Sequence, residues 1–321
     1  MKISSFVDIT EGKLLNTPSI SFITQIHIQV SKIDEGDAFL ALNKKDIPSA
    51  VEKGAFVILF ENSVNIIDNE IAWVQTPNMQ KSITNILRYK FSKLEKIQFF
   101  YVDKILYHFL TIFKTKESQI LFLKDNLKYD FELLISNNIE KKEIVFSTNN
   151  YFLQKVSPTF KIMQPSKYNI SNLISYSLFE SSFSYKGRYF DKIKLPKLYI
   201  NYFLTIYNFF DKKIDIKKLT HLKLFKPLFI NKSLQIVSFG ETNRFILANS
   251  DLNIAKLEIR YINKFYKYGT IKVIEKEHIT SEKIIFYIKK YNTNILYFKY
   301  IDIDTIEQIL LANNKEDKLF Y

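Results

Sequence analysis

The chain has no cysteine among its 321 residues. That excludes disulfide bonds and thiolate-ligated zinc, and it agrees with a reducing compartment. Glycine is nearly as scarce, with six copies at positions 12, 36, 54, 187, 240 and 269. No two of them stand at the spacing of a phosphate loop, G-x-x-x-x-G-K-S/T, and the nucleophile elbow G-x-S-x-G is absent. Arginine is confined to Arg88, Arg188, Arg244 and Arg260, so the net charge of +13 is carried almost entirely by lysine. The lysines are spread along the chain without the clustered stripe of a nucleic-acid footprint, and a solvated surface is the expectation. Long apolar runs are missing too. The longest, "LYINYFLTIYNFF" (198–210), falls short of the about 20 residues needed to span a bilayer and contains asparagines. The opening "MKISSFVDITEG" carries acids and has no apolar centre, so it does not read as a signal peptide. The expectation is a cytoplasmic protein with no transmembrane segment.

What is abundant is apolar and aromatic. Hydrophobic residues make up 47% and aromatic residues 16%, enough for buried cores and too much for disorder. His27, His108, His221 and His278 are scattered, and none has a second ligand at metal spacing on one helix face. No metal site is expected.

The pattern alternates strands and helices. "SFITQIHIQV" places Phe22, Ile26, Ile28 and Val30 on one face of a strand. "DAFLAL", "GAFVILFE" and "EIAWVQ" read as further strands, with "IPSAVEK" as a short helix. Met79, Ile83, Ile86, Leu87 and Phe91 repeat at helical spacing. "KIQFFYV", "SQILFLK" and "EIVFST" are strands, and "DKILYHFLTIFK" is a helix. "SYKGRY" marks a hairpin turn at Lys186-Gly187, and an apolar helix follows Pro196. From Leu234 the chain reads "LQIVSF" and "RFILA" as strands. A helix capped by Ser250 or Asp251 follows, then strand, helix, strand and a last helix with Asp304 and Glu307 at capping-box spacing. That alternation predicts a parallel sheet.

The stretch "VSKIDEGDAFLALNKKDIPSAVEKGAFVILFE" (30–61) resembles the amino-terminal domain of the muramyl-peptide (Mur) ligases. The matching residues are Ile33, Gly36, Asp37, Phe39, Ala41, Leu42, Ala50, Gly54 and Ala55. In that family the segment reads roughly D-S-R-x-V-x-x-G-D-x-F-x-A-L, then A-x-x-x-G-A, and holds the UDP end of the peptidoglycan precursor. Gly36 and Gly54 are expected at structural turns, the first entering a strand and the second ending a small helix.

The resemblance implies an α/β fold of three-part Mur-ligase-like architecture. Its parts are a small N-terminal α/β domain (1–76), a reduced central ATPase-like α/β domain lacking the phosphate loop (77–228), and a C-terminal Rossmann-like parallel-sheet domain (229–321). The resemblance also has gaps. The nucleotide-facing D-S-R positions fall on Gln29, Val30 and Ser31. The strand "KIQFFYV" is followed by "DKILYHFLTIFK", with no glycine and with Asp103 where phosphate would sit. The family's D-D-x-x-x-N-P motif is absent, and "FILANSDLNIAK" stands at the comparable junction.

The expectation is therefore a Mur-ligase-like protein associated with peptidoglycan precursor synthesis in a non-catalytic binding or scaffold role. No catalytic residue and no cofactor is assigned. UDP-sugar precursor or cell-wall synthesis proteins are the implied partners. Candidate ligand or partner contacts are Ser31 and Lys32, and the polar turn Gly240, Glu241, Thr242, Asn243 and Arg244. Two alternatives remain open at this point. One is an ATP- and Mg²⁺-dependent UDP-muramyl-peptide amide ligase with an atypical nucleotide site. The other is a basic module for nucleic acid or an anionic membrane.

Overall fold

A computed structural model describes residues 1–94, 96–115, 119–136, 139 and 143–316. The chain divides into two compact units, Met1–Asp103 with Thr115–Met163, and Lys104–Lys114 with Gln164–Tyr321.

The first unit begins with α1 (Ile3–Thr10), β1 (Lys13–Leu14), β2 (Ile26–His27), β3 (Ala38–Leu40), α2 (Ile47–Glu52), β4 (Val57–Phe60) and β5 (Ala72–Gln75). These strands form a sheet of order β1-β5-β4-β3-β2, parallel except for β1 against β5. Both faces of its central strands are buried, which is why they read as unbroken apolar runs. Leu40, Leu59 and Val74 face a core shared with α1, while Phe39, Ile58 and Trp73 face a second cluster with Ile47 and Ala50 of α2. Gly36 and Gly54 have φ of 93° and 89°, and the Gly36 N–H donates to the Gly54 carbonyl at 3.0 Å. A Cβ on Gly54 would stand 3.1 Å from the Glu35 Cα.

The expected strand from Phe22 to Val30 is corrected to two residues, Ile26–His27. Phe22 forms only a bridge to Lys2 and is exposed. Val30 opens a single 3₁₀ turn. Of the four residues read as one face, Ile26 and Ile28 are buried, and only Ile26 lies in a ladder.

The unit continues with α3 (Met79–Phe91) and β6 (Gln98–Val102); past α4 (Lys104–Phe113), which belongs to the second unit, come β7 (Ile120–Phe122), α5 (Leu127–Ile135), β8 (Ile144–Ser147), α6 (Asn150–Val156) and β9 (Lys161–Met163). Its second sheet has order β7-β8-β6-β9 and is parallel throughout. Helix α3 packs against α1, α5 and α6, so one core joins the two sheets through Ile83, Leu87, Phe99, Phe131, Val145 and Leu153. Asparagine starts three of these helices. Asn78 accepts the Lys81 N–H at 2.8 Å, Asn126 that of Tyr129 at 3.0 Å, and Asn149 that of Phe152 at 2.8 Å.

In the second unit, β10 (Ser171–Ser175), β11 (Ser181–Tyr185) and β12 (Arg188–Ile193) form an antiparallel sheet. Lys186 and Gly187 turn the hairpin with φ of 46° and 78°, the two positive values of a type I′ turn. Helix α7 (Ile200–Phe209) packs on α4 through aromatic pairs such as Phe113 with Phe203, 6.2 Å between centroids. Then come β13 (Leu228–Phe229), β14 (Phe245–Asn249), α8 (Leu252–Phe265), β15 (Ile271–Ile274), α9 (Ser281–Lys290), β16 (Ile295–Lys299) and α10 (Ile303–Glu316). The sheet order is β13-β14-β16-β15, with β14, β16 and β15 parallel.

Two local expectations change here. "LQIVSF" contributes only a bridge between Ile230 and Ile236. Asp304 lies inside the first turn of α10 rather than capping it; it pairs with Lys223, and Glu307 pairs with Lys226 at 2.8 Å.

Candidate functional site

Parallel α/β sheets bind ligands outside the carboxyl ends of their strands, at the point where the strand order reverses. In the first unit that crevice lies between β8 and β6. A phosphate held there needs several consecutive backbone N–H groups free of side chains. The chain supplies one connecting residue: β6 ends at Val102 and α4 begins at Lys104. The glycines that flank it in sequence are Gly54 and Gly187.

Lys104, the first residue of α4, pairs with Asp251, which follows β14 in the same unit, at 2.7 Å. Asp251 also caps α8, accepting the N–H groups of Asn253 at 2.9 Å and Ile254 at 3.1 Å. Partial burial raises its carboxyl, but the Lys104 ammonium and these N–H groups together hold it below the usual range. Beside it the Ser250 hydroxyl donates to Asp302 at 2.5 Å. His108 lies in the same neighbourhood, pushed below its ordinary value chiefly by burial and partly restored by Asp302. Lys104, Ser250, Asp251 and Asp302 gather at the carboxyl ends of β14 and β16 in the second unit, where Lys104 pairs with Asp251 and Ser250 with Asp302.

A second charged cluster lies inside the first unit. Glu132 of α5, 3% exposed, reaches the turn after β2. One carboxylate oxygen accepts the backbone N–H of Ile28 at 2.6 Å and of Gln29 at 3.0 Å. The other lies 2.9 Å from His27 Nδ1 and 3.1 Å from the Lys32 ammonium. Burial alone would raise this carboxyl; His27, the two N–H groups and Lys32 outweigh it and bring it down to about 2. The carboxylate is therefore ionised and His27 Nδ1–H donates to it. Asp37 stands 3.8 Å from His27 Nε2 and accepts the N–H groups of Gln25 and Asp34. Two backbone N–H groups, an imidazole and an ammonium form a nest for an anion, and its occupant is the chain's own Glu132. His27 and Glu132 are 105 residues apart, so no sequence spacing announces them.

The candidate contacts separate. Ser31 and Lys32 lie in the turn Val30–Lys32, with Lys32 on Glu132. The 240–244 turn lies in the second unit. The Glu241 carboxylate accepts the Ser238 N–H at 3.1 Å, and the Thr242 hydroxyl contacts the carbonyls of Ile230 and Arg244, both at 3.1 Å. The Arg244 guanidinium donates to the carbonyls of Ile288 and Tyr291 at the end of α9. Gly240 and Asn243 line a 500 Å³ aromatic cleft. A separate polar cavity of 550 Å³ opens in the first unit beside Arg88, Asn149 and Lys155. Among the described residues no group of three or more His, Asp or Glu side chains is placed to hold a metal ion, and no helix is long and apolar enough to cross a membrane.

Solved structures resemble the whole chain. The UDP-N-acetylmuramoylalanyl-D-glutamyl-2,6-diaminopimelate–D-alanyl-D-alanyl ligase of Acinetobacter baumannii aligns over 98% of this chain and 98% of its own, with 10% identity and a TM-score of 0.51. A crystal structure of MurF from the same organism aligns over 97% and 98%, with 9% identity and a TM-score of 0.53. The chain has a Mur-ligase-like fold. The MurF ligase of Thermotoga maritima, solved in complex with ADP, aligns over 92% of this chain and 98% of its own, with 13% identity and a TM-score of 0.52. No family model and no curated protein sequence matches. The Mur-ligase-like architecture expected from residues 30–61 thus extends along the chain at the level of fold.

Proposed function

We infer that this Mur-ligase-like protein serves peptidoglycan precursor synthesis in a binding or scaffolding role and does not form amide bonds with ATP. The observation that carries the reading is the single residue, Asp103, between β6 and α4. An acyl-phosphate ligase needs a cradle of backbone N–H groups, a lysine on the phosphates and a hydroxyl on Mg²⁺. Here the connection is too short to wrap a phosphate, its side chain is acidic, and the first lysine of the helix is already paired with Asp251. The 27–32 turn agrees with this reading. It corresponds to the family's nucleotide-facing loop, and Glu132 satisfies its N–H groups from within.

The test supplies ATP, Mg²⁺, a UDP-muramyl peptide and amino-acid donors, and follows release of inorganic phosphate. No substrate-dependent release above a protein-free blank is the expected result. Turnover that requires both the muramyl peptide and an amine donor would establish the amide-ligase alternative instead.

A further inference from the structure

The 500 Å³ cleft of the second unit has the size of a small-molecule site. Its floor is made by Phe179, Phe229 and Phe245, each nearly buried. Its rim carries Tyr176, Phe239 and Phe265, exposed by 44%, 44% and 46%. Large aromatic rings left in water around a concavity mark a place where something apolar sits. Phe179 meets the other two floor rings edge to face, at 78° to Phe229 and 82° to Phe245, and Phe229 is tilted 48° to Phe245. Such a cluster offers no parallel pair to sandwich a planar base.

Four lysines stand against the rim aromatics. The ammonium of Lys192 lies 5.2 Å from the Tyr176 ring, Lys194 5.7 Å from Phe239, and Lys197 and Lys264 5.5 and 5.4 Å from Phe265. No carboxylate among the described residues is ion-paired with any of these four lysines. The carboxylate on the adjacent turn, Glu241, is held by the Ser238 N–H. An apolar floor under unneutralised ammonium groups is complementary to one molecule with a chain at one end and a negative charge at the other. The polar groups of the walls are Ser175, Ser177, Asn243 and the tyrosines Tyr176, Tyr261 and Tyr266; Ser177 already accepts the Phe179 N–H and the Tyr176 hydroxyl already accepts from Ser182.

We propose that this cleft binds a single anionic amphiphile, with its alkyl chain on the phenylalanine floor and its phosphate on the lysine rim. The inference is independent of whether the chain binds nucleotide.

Isothermal titration of the full chain with dodecyl phosphate, kept below its micelle concentration, tests it. Dodecyl maltoside, dodecyltrimethylammonium, AMP and phosphatidylglycerol vesicles are titrated alongside. Saturable one-to-one uptake of dodecyl phosphate is expected, roughly tenfold or more tighter than either other dodecyl compound, with no uptake of AMP. Replacing the rim lysines together (Lys192→Glu, Lys194→Glu, Lys197→Glu, Lys264→Glu) should weaken dodecyl phosphate by roughly tenfold or more and leave dodecyl maltoside unchanged. All four lie on the surface, so folding is not at stake. Phe239→Ala should weaken every dodecyl compound. Equal affinity for the three headgroups, preference for AMP, or attachment to vesicles without uptake of monomeric dodecyl phosphate would each overturn the proposal.

Discussion

Replacing Glu132 tests whether the nest at residues 27–32 is held by an internal anion. Its carboxylate satisfies two backbone N–H groups and contacts His27 and Lys32. In Glu132→Ala the buried donors lose their acceptor while the nearby cation remains, a change that costs about 3–5 kcal/mol in comparable buried pairs. Glu132→Gln keeps the shape and removes the charge, and it isolates the titration. The carboxyl drops from an ordinary 4.5 to about 2 on folding, a difference of about 3 kcal/mol. Because the folded value is the lower one, this stability is fully present above pH 4.5 and is lost as pH falls through about 2. At pH 3 about two-thirds of it should already be gone. Urea unfolding of wild type and Glu132→Gln at pH 7 and pH 3 measures this directly. The wild-type advantage is expected to shrink by about 2 kcal/mol between the two pH values. An advantage that does not depend on pH, or none at all, would refute the electrostatic account of the turn. Acetate should in addition raise the midpoint of Glu132→Ala more than that of wild type, by entering the emptied nest.

Two further outcomes follow from the second unit. Glu258 is fully buried between the hydroxyls of Tyr199 and Tyr297, and burial raises its carboxyl from 4.5 to about 7. The sign is opposite to that of Glu132: the stability is complete below pH 4.5 and declines as pH rises through about 7. Glu258→Gln should therefore gain on wild type by about 3 kcal/mol at pH 8 or above and match it near pH 4, as read from denaturant unfolding. A pH-independent difference would count against it. Arg244→Ala removes a guanidinium from the terminal carbonyls of α9 and should cost about 2 kcal/mol, with part recovered in Arg244→Lys; an unchanged unfolding midpoint would contradict this.

Much of the fold was legible because its signals are local. The apolar spacing from Met79 to Phe91 marks α3 from its first residue to its last, and Asp251 caps α8. The alternation read from Leu234 predicts a parallel sheet, which β14, β16 and β15 form, while "LQIVSF" at its start gives only a bridge. What escaped has physical reasons. Helices α5 and α6 have nine and seven residues, too short for a clear stripe, although their asparagine caps were available as a signal. The Phe22–Val30 alternation imitated a strand because Ile28, beyond the two-residue strand, is also buried. The charged nest was illegible because Glu132 arrives from α5, far along the chain from His27. Glu258 was illegible for the same reason: Tyr199 and Tyr297 precede and follow it by 59 and 39 residues.

The closed corner after β6 is best examined by calorimetric titration of the full chain with ATP and Mg²⁺, repeated as a thermal-unfolding series. With only Asp103 between strand and helix, neither heat of binding nor a shift in midpoint is expected. Saturable heat, accompanied at a hundredfold excess over Kd by about 2.7 kcal/mol of added stability, would show that a triphosphate site exists and that the account is wrong.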